Sequence, residues 1–204
     1  AYLAIAFSLL AGLAMTPTLG GRQGQMIRTS VATMRAAAAL VPGAMLFALT
    51  YGLFEELPAN LYAVLALDAG LGAGISAYTL TAFVLGGMAF SVPVGWLSDR
   101  IGRLAVLRLL SVGAILLLGA MAATLTMPTA FLGAIFLQGG MAGSIYNPAL
   151  AWIGDLFEGD ALIPANAAFG MIYAAGSVAG PILGGLAMQG WASTGLLAYA
   201  GLVL

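Results

Sequence analysis

Between Gly95 and Arg103 the chain reads Gly-Trp-Leu-Ser-Asp-Arg-Ile-Gly-Arg, one carboxylate, two guanidiniums and two glycines set between long apolar runs. Charge that dense is too costly to leave in hydrocarbon, so the stretch marks a short loop at a membrane face. The runs on either side, about Ile75 to Leu97 and Leu104 to about Thr126, are each long enough at ~1.5 Å per residue to cross a ~30 Å hydrocarbon layer. Glycine permits a tight turn between two such helices. Asp99 can accept from a helix N-terminus or from an arginine, and Arg100 and Arg103 hold the turn on the cytoplasmic side.

Composition agrees with this reading. The chain is 62% apolar and 6% charged, with a mean hydropathy of +1.07, whereas a water-soluble globule is nearer ~25% charged. An all-α integral membrane protein is expected. The 29 glycines and 8 prolines lie within the apolar runs rather than in linkers, which suits helices that approach closely and bend. With neither Cys nor His, disulfides, thiolate chemistry and the commonest metal ligand are absent, and no metal or cofactor is expected. No phosphate-binding loop points to ATP, no Gly-x-Ser-x-Gly elbow points to hydrolysis, and no nucleic-acid partner is expected.

Taken in order, residues 1–16 are apolar but shorter than the ~20 residues of a span; they read as the remnant of a preceding helix. Residues 17–35 contain Arg22, Arg28 and Arg35 and no acid, so they read as a cytoplasmic linker. Six further segments follow, at about 36–67, 75–97, 104–126, 129–153, 164–188 and 191–204, the last incomplete. The first is too long for a bilayer and holds Pro42 and Pro58, so it should tilt, kink near a proline or protrude. All six basic residues, Arg22, Arg28, Arg35, Arg100, Arg103 and Arg108, fall on one side of this arrangement. Positive-inside places that side in the cytoplasm.

The spacing Gly95-x-x-x-Asp99-Arg100-x-Gly102-Arg103 resembles the loop signature of the major facilitator superfamily of secondary transporters, although Leu104 stands where the family usually has a second basic residue. That resemblance implies two six-helix halves, each of inverted three-helix repeats, and residues 36–204 match one half, truncated at both ends. Phe54-Glu-Glu-Leu-Pro58, Pro93-Val-Gly-Trp-Leu-Ser-Asp-Arg100 and Gly139-Gly-Met-Ala-Gly-Ser-Ile-Tyr146-Asn-Pro-Ala-Leu-Ala151 resemble the C-terminal half of the YcaD-like bacterial branch. The spans would then be helices 7 to 11, between the remains of 6 and 12, with a missing N-terminal half as partner. The glycine-proline run 176–185 also resembles an antiporter signature of the fifth helix. The alternative is therefore the N-terminal half of a drug/proton antiporter.

The resemblance implies a small solute moved by alternating access, with proton coupling, in a bacterial inner membrane; a drug antiporter of this kind would work in efflux. A membrane scaffold or receptor without transport is the alternative of another class. In the resembled family Gly95, Asp99, Arg100, Gly102 and Arg103 would brace the cytoplasmic gate. Glu55 and Glu56 lie in an apolar run, where a carboxylate is functional by default unless its helix end reaches water. They face ~100° apart, so both are not expected in one cavity, and the resemblance favours Glu55. Tyr51, Gln138, Tyr146, Asn147, Asn166 and Tyr173 are polar groups expected near mid-membrane, as solute contacts or as hydrogen-bonding links between helices. Gly176, Gly180, Gly184 and Gly185 are expected to let another helix pack closely, and Pro181 to let its helix bend.

The arginine asymmetry yields a test. Single cysteines placed at Asp68 and Glu158 should react with an impermeant thiol reagent from opposite faces of the membrane, Glu158 from the cytoplasmic one. Labelling of both from the same face would refute the topology.

Overall fold

The computed structural model describes residues 29–204. The expected helix remnant 1–16, most of the linker, Arg22 and Arg28 lie outside the described residues. Eight α-helices follow: α1 (Val31–Leu40), α2 (Pro42–Asn60), α3 (Tyr62–Asp68), α4 (Gly72–Ile101), α5 (Arg103–Ala123), α6 (Pro128–Ala142), α7 (Tyr146–Leu156) and α8 (Leu162–Val203), with a 3₁₀ turn at Gly159–Ala161. Among the described residues there is no strand. Four helical stretches are long and apolar enough to cross a membrane, and a fifth if α1 and α2 are taken together.

The helices end where local chemistry dictates. Ser30 and Thr33 form a reciprocal capping box that starts α1. The segment expected at 36–67 is broken: α1 and α2 meet at 103° across Val41. Pro42 lacks an N–H and forces the preceding residue out of helical geometry, so Val41 sits at φ −133°, ψ 57° and Pro42 becomes the first residue of α2. Pro58, by contrast, is accommodated inside α2. The segment expected at 129–153 likewise divides into α6 and α7 around Gly143–Ile145.

The 95–103 loop is shorter than expected. α4 continues to Ile101, so Asp99 and Arg100 are helical, and Gly102 alone separates α4 from α5. Its φ of +91° is a conformation that a side chain would strain.

Helical hydrogen bonding runs from Leu162 to Val203, but α8 is not a straight rod. A methyl built on Gly195 would strike the Ala187 carbonyl, and one on Gly184 would meet Leu196 at 3.2 Å. On a straight helix those pairs would be ~12 and ~18 Å apart along the axis. The chain therefore reverses near Trp191, and Thr194–Val203 returns alongside the bundle, with Leu196, Leu197 and Ala200 packed in the same core as Ala114, Leu118 and Met121 of α5.

The closest helix pairs are α2 with α8 and α4 with α6. Both are built on glycine. A Cβ on Gly52 would collide with the Tyr173 carbonyl, one on Gly180 with that of Leu53, and one on Gly176 would lie 2.7 Å from that of Leu49. In the second pair, Gly86 lies against the Phe136 carbonyl and Gly139 against that of Phe83. Of the glycines expected to pack, Gly176, Gly180 and Gly184 do so; Gly185 faces open space. It lies about 100° round the helix from Gly184 and so points away from α2.

Buried apolar residues form two layers. One, towards the arginine-bearing end, includes Met45, Val106, Leu110, Ile153 and Phe169. The other includes Phe54, Leu57, Phe83, Met121 and Phe131. Large apolar side chains also cover the outside, with Val92, Met88 and Trp96 on α4 and Val178, Ile182 and Leu186 on α8 exposed. That distribution suits a lipid solvent.

Gly52→Ala or Gly86→Ala should lower stability by ~1–3 kcal/mol or more through overpacking against backbone. Gly185→Ala and Gly133→Ala, which open on free space, should be neutral or stabilising by up to ~1 kcal/mol. Thermal denaturation in detergent separates the two classes, and equal losses in both would refute the glycine seams.

Candidate functional site

Two polar assemblies stand out, one at mid-span and one at the arginine-bearing end. The first gathers Tyr51 of α2, Tyr146 of α7 and Tyr173 of α8. Counted from the ends of their helices on the arginine-bearing side, the three lie roughly 14, 15 and 17 Å in, about half of a ~30 Å hydrocarbon layer. Their ring centroids are 5.7 Å apart for Tyr51 and Tyr146, 6.0 Å for Tyr51 and Tyr173, and 5.3 Å for Tyr146 and Tyr173, with Phe169 edge-on to Tyr146 at 5.6 Å.

Glu55 follows Tyr51 by one turn and so shares its face of α2. Its carboxylate accepts a hydrogen bond from the Tyr173 hydroxyl across the α2–α8 seam. Glu56 points elsewhere, and its Oε2 accepts from Asn60 Nδ2 at 3.3 Å at the C-terminal end of α2. Tyr51 is buried, whereas Tyr146, Tyr173 and Glu55 are half-buried. The cluster is thus backed by protein on the Tyr51 side and open on the other.

Other expected mid-membrane groups are not part of this cluster. Gln138 is fully buried in α6, and neither of its amide atoms has a hydrogen-bond partner. Asn147 is next in sequence to Tyr146 but turned about 100° from it, and it lines a different pocket, described below. Asn166 is exposed and only four residues into α8, roughly 6 Å from the helix start, so it is not at mid-membrane.

The second assembly is centred on Arg103, the first residue of α5. Its Nη1 donates to Asp99 Oδ1 at 2.5 Å and to Ser98 Oγ at 3.1 Å, and its Nε donates to Asp155 Oδ2 at 3.1 Å. One guanidinium thereby ties the end of α4 to the end of α7. The bond to Asp99, then that to Asp155, holds Arg103 more firmly protonated than an isolated guanidinium. Beside it is a pocket of about 140 Å³ lined by Ser91, Gly95, Ser98, Ser144 and Asn147 among others. Arg100 is not in this network; its guanidinium lies 3.9 Å over the Trp96 ring.

Ser98, Trp96 and Asp155 were not singled out from sequence. The signal for Asp155 was its place in an acidic loop on the arginine-bearing side, and for Trp96 its spacing of four from Arg100 along one helix. Both carboxylates partnering Arg103 are well exposed, at 67% and 54%, so the network contributes position more than stability.

The comparisons with known proteins agree on one family. The model described as Major Facilitator Superfamily matches residues 40–204. Among curated proteins, the chain is 32% identical over 158 residues to the uncharacterized MFS-type transporter YfkF of Bacillus subtilis (strain 168), covering 76% of this chain and 39% of that protein. It is 31% identical over 137 residues to an uncharacterized MFS-type transporter of Yersinia enterocolitica, covering 64% and 34% respectively. A third such transporter, from Enterobacter sp. (strain 638), is 30% identical over 128 residues, covering 61% and 30%. The chain thus spans well under half the length of these relatives. No solved structure matches it.

The contact between α2 and α8 gives a test by double-mutant cycle. Tyr173→Phe and Glu55→Gln should each destabilise the protein, with a coupling energy of about 1 kcal/mol or more, since a hydrogen bond to a charged group contributes more than a neutral one. Strictly additive effects in thermal denaturation would show that the two side chains do not meet.

Proposed function

Because this chain belongs to the major facilitator superfamily, a family of membrane transporters, we propose that it is the C-terminal half-bundle of a secondary active transporter of the YcaD-like branch. On this reading it works in a bacterial inner membrane and moves a small solute by alternating access, coupled to protons. A second half-bundle would face the open side of the tyrosine cluster. Support for a solute site there comes from one arrangement: three tyrosines and a carboxylate converge at mid-span from α2, α7 and α8. A half-buried carboxylate at that depth is costly unless it has a use.

Glu55 is the proton carrier in this proposal. Alternating access would present Glu55 first to one face of the membrane and then to the other, which is what coupling requires. The hydroxyl of Tyr173 offers it a hydrogen bond in the ionised form, so protonation changes a contact between two helices. The Arg103 network braces the opposite, cytoplasmic end, holding α4 to α7 while the gate moves.

Reconstituted in proteoliposomes, the Glu55→Gln protein should lose gradient-driven transport and retain part of its solute exchange. Glu56→Gln, whose partner is Asn60, should leave gradient-driven transport within about twofold, as expected for a group outside the cavity. Unchanged gradient-driven uptake in Glu55→Gln would refute the carrier role.

A further inference from the structure

We propose that the solute recognised by the tyrosine cluster is an organic cation, an ammonium bearing alkyl or aromatic groups. This rests on the reading of the cluster as the solute site and names the chemistry that the site selects. The first ground is charge. The chain has no His, and its basic residues are arginines; those described, Arg35, Arg100, Arg103 and Arg108, lie towards the cytoplasmic ends of the helices. Arg108 reaches furthest in, and it lines a separate groove with Leu46, Phe47, Thr50 and Ser111, between α2 and α5. Among the described residues of this half-bundle, nothing positive accompanies Glu55. On this face of the site an anionic solute would meet a carboxylate and the negative faces of tyrosine rings, with no counter-charge from the described residues.

The second ground separates a cation from a polyol. Sugars and similar neutral solutes are held by converging amides and carboxylates that donate and accept hydrogen bonds. The amides of this bundle are elsewhere: Gln138 is enclosed in the core, Asn147 is in the pocket beside Arg103, and Asn166 is near the start of α8. What converges at mid-span is aromatic, three tyrosines with Phe169 behind them.

The third ground is geometric. With centroids 5.3 to 6.0 Å apart, the rings touch one another and leave no room between them. The cation therefore lies against the outer surfaces of Tyr146 and Tyr173, which are half-exposed, while Tyr51, 5% exposed, backs them. Glu55 stands at the edge of that surface as counter-ion, oriented by the Tyr173 hydroxyl. A quaternary or alkylated ammonium suits such a site because its charge is spread over apolar groups that the rings can cover.

The test uses three probes of similar size on the intact transporter, purified in detergent and followed by calorimetry. They are benzyltrimethylammonium, its uncharged carbon isostere neopentylbenzene, and benzenesulfonate. The cation should bind at least about tenfold more tightly than the isostere, with no measurable binding of the sulfonate. Tyr146→Phe keeps a ring face and should hold affinity for the cation within about threefold, whereas Tyr146→Leu should weaken it about tenfold or more. Equal affinity for cation and isostere in the unmodified protein overturns the proposal, and that comparison stands even where the leucine variant fails to fold. Loss of cation selectivity in a protein that still drives another solute through Glu55 overturns the cation assignment alone. Selective binding without gradient-driven movement of the cation overturns the transport reading and leaves the cation recognition standing.

Discussion

Backbone-to-backbone contact between α2 and α8 is the arrangement on which the rest of this bundle depends. In a bilayer the lipid tails are as apolar as the side chains, so helices gain little by burying leucine against leucine and much by close van der Waals approach. Gly52, Gly176 and Gly180 bring the two backbones together where any other residue would collide with a carbonyl or backbone nitrogen. The pair α4 and α6 repeats the device with Gly86 and Gly139. The first seam also builds the site. Gly52 lies between Tyr51 and Glu55 in sequence and abuts the carbonyl of Tyr173, so the approach that packs the helices carries the hydroxyl of Tyr173 to the carboxylate of Glu55.

The polar groups are divided by depth. At mid-span a single carboxylate is held by a tyrosine hydroxyl among aromatic rings; at the arginine-bearing end a guanidinium is shared between two exposed carboxylates. The distinction is electrostatic. Exposed charges near water are screened and contribute little to stability, so the Arg103 network is best understood as a positional link from α4 to α7. A half-buried charge in the span is costly, and its retention there points to use. The single-residue corner at Gly102 serves the first purpose, because it places Asp99 four residues before Arg103, close enough for one hydrogen bond to span the corner.

Much of this was legible in the chain. Apolar runs of span length, the arginine asymmetry and the Gly95–Arg103 signature carried the helical membrane class and the family, both of which the comparisons support. Pro42 also foretold a kink, although not that α1 would turn by 103°. The division of α6 from α7 has a local cause less obvious than Pro42: Gly139, Gly140 and Gly143 weaken the helix, and Pro148, in the first turn of α7, has no N–H to donate to the Ser144 carbonyl. Among the site residues, Tyr51, Glu55, Tyr146 and Tyr173 meet, while Gln138, Asn147 and Asn166 are placed elsewhere. Periodicity says which residues share a face of one helix, but not which helix stands opposite.

The sequence by itself determined what each segment could be, because hydropathy, proline and glycine act within a few residues of themselves. It determined that Glu55 and Glu56 face different ways, because that follows from the helical repeat alone. Only the tertiary structure decided which of them meets a tyrosine, since Tyr173 is 118 residues away along the chain. It likewise decided that Arg103 rather than Arg100 joins Asp99 to Asp155, and that Gly184 packs where Gly185 does not. Those choices are made by contacts between helices, and such contacts exist only once the glycine seams have set the helices at their final distance.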